Sequence, residues 1–237
     1  MEKVKDYYSF LNESFKVEEI HPEKWENLPV PSSLPKINLI DSEYRNDFAK
    51  KVSLIANAFG VKPEYLMMIM YKESGMRPEI VNSIGAVGLI QFTKKTLSGM
   101  INPNTDKPYT QVEVKNMDPV EQLDLVYAYL KNSSLKKASK TSDGKLKDPT
   151  DLYLAIYLPI LVGKPDTYVI PDNFVKGNEG MFKNNPEHTL GKLREYMRKE
   201  VLSIPESKWT QLSPEDFISL VKKFSDFLET APDKKRD

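Results

Sequence analysis

The sequence predicts a mainly α-helical protein. From residue 41 onward, apolar side chains recur at the three- and four-residue spacing of an amphipathic helix. Aspartate followed by proline, a typical helix start, occurs at Asp118-Pro119 and again at Asp148-Pro149. No segment alternates apolar and polar residues over the length of a strand. Hydrophobic residues make up 40% of the 237 positions and charged residues 29%, which is ordinary for a globular protein with a buried core.

The chain is predicted to have three parts. Residues 1–40 form an N-terminal extension, with a short helix from Tyr7 to Phe15 and an extended arm over 21–40, where four prolines disfavour regular structure. Residues 41–202 form the helical domain. Residues 203–237 form a C-terminal helix and a tail.

Two adjoining helices open the predicted domain. The first covers 44–59, with Asp41 or Ser42 as its cap. The second covers 63–75, and its run 65–71 is too apolar for a surface helix, which predicts a central buried helix. Further helices are predicted over 92–97, 118–130, 148–157, 189–201 and 214–229.

The composition excludes several kinds of site. The chain has no cysteine, which removes disulfides, thiolate nucleophiles and Cys-ligated zinc. His21 and His188 lie far apart and outside any H-E-x-x-H pattern, so we expect no metal and no cofactor. Lys plus Arg and Asp plus Glu both number 34, which leaves no basic excess for nucleic acid. The charged N-terminus predicts no secretory signal, and no run of about 18 apolar residues predicts a membrane span.

Glu73 is the strongest candidate for chemistry. It follows the apolar run 65–71, and a carboxyl group among apolar neighbours keeps its proton to a higher pH than in water. Cleavage of a glycosidic bond needs a protonated acid, because the leaving oxygen must take up a proton. Residues 82–92, here called the glycine segment, come next and let backbone approach a ligand closely. Together these features predict a sugar-cleaving site.

Four sequence pieces, spanning roughly 45–165, follow one another along the chain. They are Glu73-Ser74-Gly75 followed by Pro78, Gly85-Ala86-Val87-Gly88-Leu89-Ile90-Gln91, the helix from Asp118 to Leu130, and Tyr153-Leu154-Ala155-Ile156-Tyr157. Together these pieces resemble the lytic transglycosylases of the lysozyme-like superfamily, especially the soluble type found in bacteria and in phage tail or lysis proteins. The resemblance implies a lysozyme-like helical fold.

The resemblance implies a mechanism that uses one carboxyl group. Glu73 acts first as general acid on the bond between N-acetylmuramic acid and N-acetylglucosamine. It then acts as base on the sugar's own 6-hydroxyl, which gives a 1,6-anhydro sugar without water. Tyr157 would hydrogen-bond to Glu73 and orient it. The residues that the resemblance assigns to substrate binding are Ser74, Ser83, Gly85, Ala86, Gly88 and Gln91.

The residues after Tyr157 resemble phage-type members. Leu158-Pro159-Ile160 stands where cellular enzymes usually carry Asn-Ala-Gly. We therefore expect a phage virion or lysis protein that acts on the cell wall in the periplasm. The expected partners are the glycan strands of bacterial peptidoglycan and, through the N- or C-terminal extension, other virion proteins.

Two alternatives stay open. A lysozyme that hydrolyses the same bond more often needs a second carboxylate, and Glu79 and Asp106 are the candidates. No aspartate lies between Glu73 and Gln91, unlike in goose-type lysozymes, which favours the transglycosylase. The other alternative is a non-catalytic glycan-binding or structural tail component, and the presence of Glu73 argues against it.

Overall fold

The computed structural model describes residues 14–31, 33–132, 144–176, 179–182 and 186–203, together with positions 135, 138, 140 and 142. The chain divides into two compact units, Met1–Ser203 and Ile204–Asp237. The second unit, including the helix predicted over 214–229, lies outside the described residues. The first unit is mainly α-helical, as the sequence predicts.

Two consecutive helices form the centre of the core. Helix α1, Arg45–Phe59, ends at Gly60, whose φ of 71° closes the helix in the left-handed conformation. Helix α2, Pro63–Ser74, ends in the same way at Gly75, with φ 66°. The side chains that α2 buries are Tyr65, Leu66, Met67, Ile69, Met70 and Ser74. This confirms the prediction of a central buried helix that ends next to Glu73.

A small sheet lies beside the helices. Strand β1, Phe15–Lys16, pairs in parallel with β2, Met100–Asn102, and β2 pairs antiparallel with β3, Lys107–Pro108. Helix α3, Lys94–Gly99, leads directly into β2. The sheet is a finding that the sequence did not predict, because strands of two or three residues are too short to show an alternating pattern.

Two helices follow the sheet. Helix α4, Gln111–Asn116, starts with a capping box in which the Thr110 hydroxyl and the Glu113 carboxylate each accept the other residue's amide. Helix α5, Pro119–Asn132, packs against α1. Its predicted start at Asp118 is confirmed, since the Asp118 carboxylate accepts the amides of Val120 (2.7 Å) and Glu121 (2.8 Å).

The last part of the first unit returns to the centre. Helix α6, Thr150–Tyr157, forms as its Asp-Pro start predicted, and it packs against α5. The short helices α7, Asp172–Val175, and α8, Glu179–Phe182, lead to α9, Leu190–Tyr196. Helix α9 continues as a π-helix over Met197–Val201, and this segment contacts both α2 and α6.

Residues 14–31 and 33–40 of the N-terminal extension, here called the N-terminal arm, pack on the helices. The buried apolar side chains of the arm are Val17, Ile20, Trp25, Leu28, Leu34 and Ile40. The amide of Ile20 donates to Asp124 Oδ1 of α5 at 2.9 Å, and the Trp25 indole donates to the carbonyl of Ile20 at 3.1 Å. One-turn 3₁₀-helices at Pro22–Lys24 and Ile37–Leu39 interrupt its extended course.

Three local expectations differ from the structure. The residue that precedes α1 is Tyr44, without a side-chain cap, so neither Asp41 nor Ser42 caps the helix. The helix predicted over 92–97 begins later, because the Thr93 hydroxyl accepts the Thr96 amide and starts α3 there. Phe15 belongs to a strand, while the rest of the predicted 7–15 helix lies almost wholly outside the described residues. In the part of the chain that is described, no helix is both long and apolar enough to cross a membrane.

Candidate active site

Glu73 lies in the last turn of α2. Gly75 and Met76 both have positive φ, 66° and 65°, so the chain turns sharply after the acid. Burial raises the pKa of Glu73, while a hydrogen bond from Tyr153 and the charge of Lys72 act in the opposite direction. Carbonyl groups at the end of a helix also disfavour a negative charge. The structure therefore keeps this carboxyl group protonated to a higher pH, as a general acid requires.

The hydrogen bond to Glu73 comes from Tyr153 in α6. The Tyr153 hydroxyl is buried, and its own pKa is raised by burial and by the neighbouring Glu73 carboxylate. A phenol that donates to a carboxylate stabilises the ionised form of the acid. Tyr153 is therefore placed to orient Glu73 and to stabilise its ionised form.

Tyr157 lies one helical turn beyond Tyr153, and the two rings stack with centroids 5.8 Å apart. Burial and the charge of Glu73 raise the pKa of Tyr157 to about 12, which places Tyr157 in the electrostatic field of the acid. The orienting role that the sequence assigned to Tyr157 stays a prediction. Tyr153, on the same helix, is the residue whose side-chain hydrogen bond to Glu73 the structure shows.

The glycine segment folds into tight turns held by its own groups. Asn82 Oδ1 accepts the amides of Ile84 at 3.0 Å and Ala86 at 2.9 Å. Gly85 and Gly88 both have φ of 82°, a region that a side chain makes unfavourable. These turns give the segment a defined backbone shape next in sequence to the acid.

Three of the predicted substrate-binding residues lie at or near the surface. Ser83 is exposed at the tip of the first turn, and Gly85 is partly exposed. Gln91 is also partly exposed, and its Nε2 donates to the carbonyl of Gly88 at 3.0 Å. Their predicted contacts with substrate remain predictions.

The other three predicted substrate-binding residues are buried. Ala86 and Gly88 lie inside the glycine segment. The Ser74 hydroxyl is turned back onto α2 and donates to the carbonyl of Met70 at 3.0 Å. Because the Ser74 hydroxyl has this partner within the helix, no ligand is needed to explain a serine at this buried position.

The two candidate second carboxylates are both exposed. Glu79 lies in the turn after Pro78. Asp106 lies in the turn between β2 and β3, where it pairs with Lys16 of β1 at 2.6 Å. Asp106 thus has a partner in the small sheet, and a role for either group in hydrolysis stays a prediction.

Sequence reasoning missed Gln122 in α5. Its side chain is 0% exposed, and its Oε1 accepts the amide of Leu89 in the glycine segment at 3.0 Å. The available signal was an amide at a position whose neighbours about one turn away on the helix, Pro119, Leu125 and Val126, are apolar. A buried amide needs partners, but the sequence does not say which ones.

Comparison with known proteins identifies the domain. Residues 52–150 match the family model described as transglycosylase SLT domain. No curated protein matches the chain. The match covers Glu73, the glycine segment and α5, and it ends where α6 begins. Residues 52–150 therefore match a transglycosylase SLT domain, and this match supports a lytic transglycosylase of the lysozyme-like superfamily.

Proposed function

We propose that the protein cuts the β-1,4 bond between N-acetylmuramic acid and N-acetylglucosamine in peptidoglycan and leaves a 1,6-anhydro-N-acetylmuramic acid end. The SLT domain supports lytic transglycosylase activity on peptidoglycan in general. The observation that carries the finer proposal is the Glu73 carboxyl group, whose pKa is raised by burial and which accepts a hydrogen bond from Tyr153.

One carboxyl group completes the reaction in two proton transfers. Protonated Glu73 gives its proton to the glycosidic oxygen, and N-acetylglucosamine leaves with a free 4-hydroxyl. The Glu73 carboxylate then takes the proton of the 6-hydroxyl as that oxygen bonds to C1 of the muramic acid. The proton is restored to Glu73 and no water is consumed. Between the transfers Tyr153 stabilises the carboxylate, because its hydrogen bond favours the ionised form.

The direct test is release of soluble muropeptides from purified sacculi. Glu73→Gln keeps the shape of the side chain but cannot supply the proton, so release should fall at least ~100-fold. Glu64→Gln is the matched control, since Glu64 is an exposed acid in the first turn of the same helix. Parental release by Glu73→Gln would refute the assignment. Binding to sacculi without any release by the parent protein would favour the non-catalytic alternative.

A further inference from the structure

Gln122 joins three separate backbone segments at one buried point. Its Nε2 donates to the carbonyl of Pro78 at 2.7 Å and to the carbonyl of Val114 at 2.8 Å. Its Oε1 accepts the amide of Leu89 at 3.0 Å. Pro78 lies five residues after Glu73 in the sequence. Leu89 belongs to the glycine segment, and Val114 belongs to α4.

The side-chain amide of Gln122 uses nearly all of its hydrogen-bonding capacity. A glutamine amide has two N–H donors, and both are taken by carbonyl groups. A carboxylate of the same shape would place an acceptor against two acceptors. An apolar side chain of the same size would leave the Pro78 carbonyl and the Leu89 amide without these partners, while the Val114 carbonyl would keep the amide of Met117. Position 122 therefore requires an amide because of these hydrogen bonds, and not only because of its size.

Gly88 is shaped around the same amide. A Cβ atom at position 88 would lie 2.6 Å from Gln122 Oε1 and 3.2 Å from Val114 Cγ1. The glycine is thus required both by its φ of 82° and by the close approach of Gln122. The glycine segment rests directly on this side chain.

We propose that Gln122 is a positioning residue for the site: it fixes the glycine segment relative to the chain that leaves Glu73, and so sets where a bound glycan lies against the acid. The proposal rests on the proposed function for its substrate class. Its physical basis is that a displacement of about 1 Å between substrate and a catalytic group can lower the rate ~100-fold.

The test replaces Gln122 with methionine, which has similar length and no amide. The matched control is Val126→Ala, a buried apolar truncation one turn further along α5. Amide hydrogen exchange reports the local effect: exchange at Leu89 should rise at least ~10-fold in Gln122→Met, and not in Val126→Ala, because only the first loses the acceptor. If Gln122→Met does not fold, Gln122→Asn, with an amide one methylene too short, carries the same test.

Function is measured in two ways, well below the unfolding temperature. Muropeptide release should fall at least ~10-fold in Gln122→Met, with the alkaline limb of the pH profile unmoved, because Tyr153 still contacts Glu73. In a Glu73→Gln background, affinity for a β-1,4-linked N-acetylglucosamine hexasaccharide should weaken by a similar factor. Val126→Ala should keep near-parental values of both.

The outcomes separate the two proposals. Active parent protein whose release and hexasaccharide affinity are unchanged in Gln122→Met would overturn the positioning role alone. Equal losses in Val126→Ala would also overturn it, since general destabilisation would then be sufficient. A parent whose hexasaccharide affinity is lowered by Gln122→Met but which releases nothing from sacculi would support the positioning role and refute the proposed function. A parent that neither binds nor cuts would overturn both.

Discussion

At the scale of single residues, burial gives Glu73 its chemistry at the expense of stability. Its pKa is raised in the folded protein, so the folded state binds the proton more tightly than the unfolded state. Stability from this group is therefore complete at low pH and is lost as the pH rises from the unfolded pKa through the folded pKa. Ionised Glu73 at neutral pH is a destabilising group in the folded protein.

The raised pKa of Glu73 predicts how the substitution Glu73→Gln changes stability. At neutral pH the variant should unfold at a higher temperature than the parent, because a neutral amide has no charge to desolvate. At about pH 4, where most of the unperturbed glutamate is protonated, the difference should nearly vanish. Thermal unfolding at the two pH values measures it. A variant less stable than the parent at neutral pH would contradict the account of the raised pKa.

The two tyrosines of α6 are distinguished by the pH profile. Tyr153→Phe removes a bond that favours ionised Glu73, so the pKa of Glu73 should rise and the alkaline limb of activity should move to higher pH. Turnover should also fall about 10-fold or more, the scale of a hydrogen bond to a charged group. Tyr157→Phe is the matched comparison and should move the limb less. The reverse order would assign the orienting role to Tyr157, as the sequence predicted.

The sequence identifies Glu73 because its signal is local: an apolar run, the acid and a glycine pattern all lie between residues 65 and 92. It does not separate Tyr153 from Tyr157, since residues four apart lie on one face of a helix. The position of α6 relative to α2 decides which tyrosine contacts Glu73. That position is set by packing between residues that are far apart in the sequence. Gln122 is missed for the same reason, because its three partners lie 8 to 44 residues away.

At the scale of elements, α6 is held to α9 by a buried charge cluster. Arg194 of α9 donates to Asp151 Oδ1 of α6 at 2.7 Å, to Asp166 Oδ1 at 2.7 Å and to the carbonyl of Lys164 at 3.0 Å. Arg194 is 5% exposed and Asp151 is 1% exposed. Since Asp151 lies two residues before Tyr153, this cluster fixes the start of the helix that carries the hydrogen bond to Glu73.

Removal of Arg194 should therefore weaken both fold and activity. Arg194→Met leaves Asp151 as a buried carboxylate without its main partner, which should cost roughly 3–5 kcal/mol. Chemical denaturation measures the loss, and muropeptide release should fall as α6 shifts. Lys192→Met is the control, because its ion pair with Glu195 on the same helix is exposed and should contribute little. Parental stability in Arg194→Met would show that the cluster does not hold α6.

The helices were predictable where a periodic face and a start signal coincide, as in α2, α5 and α6. The sheet was not, because Phe15 pairs with Met100 and no local pattern links positions that far apart. The π-helix after Tyr196 was also missed, since the sequence there continues a helical pattern. It forms where the chain packs against α2 and α6, contacts between segments that no local pattern links.

At the scale of the first unit as a whole, the N-terminal arm is attached through a buried ion pair. Lys51 of α1 lies 2.8 Å from Asp124 of α5, and the same carboxylate accepts the amide of Ile20 in the arm. Burial raises the pKa of Asp124, and Lys51 opposes that shift. The pair therefore connects two helices and the arm at one point.

Breaking this pair should loosen the arm and destabilise the fold. Lys51→Met leaves Asp124 buried without a cation, with an expected cost of roughly 3–5 kcal/mol. The double variant Lys51→Met/Asp124→Leu should recover part of that loss, because no buried charge remains, although the Ile20 amide then lacks its acceptor. Denaturant unfolding of both variants is the measurement. No difference between single and double variants would contradict the account.

The biological setting is not decided by the fold. The phage origin, the virion partners and action in the periplasm, all predicted from the sequence, stay predictions. The SLT domain supports lytic transglycosylase activity on peptidoglycan in general. That Glu73 performs it, with Tyr153 beside it, is our proposal. The product of the reaction distinguishes a transglycosylase from a lysozyme.

Mass spectrometry of muropeptides released from sacculi in heavy-oxygen water identifies this product directly. The substrate's own 6-hydroxyl is held close to C1 by the bound sugar, so attack by it needs no ordered water. We expect products that end in 1,6-anhydro-N-acetylmuramic acid, which weigh one water less than hydrolysed ends and carry no heavy oxygen. A majority of labelled reducing ends would show instead that the protein is a lysozyme, with Glu79 and Asp106 the first residues to test as its second carboxylate.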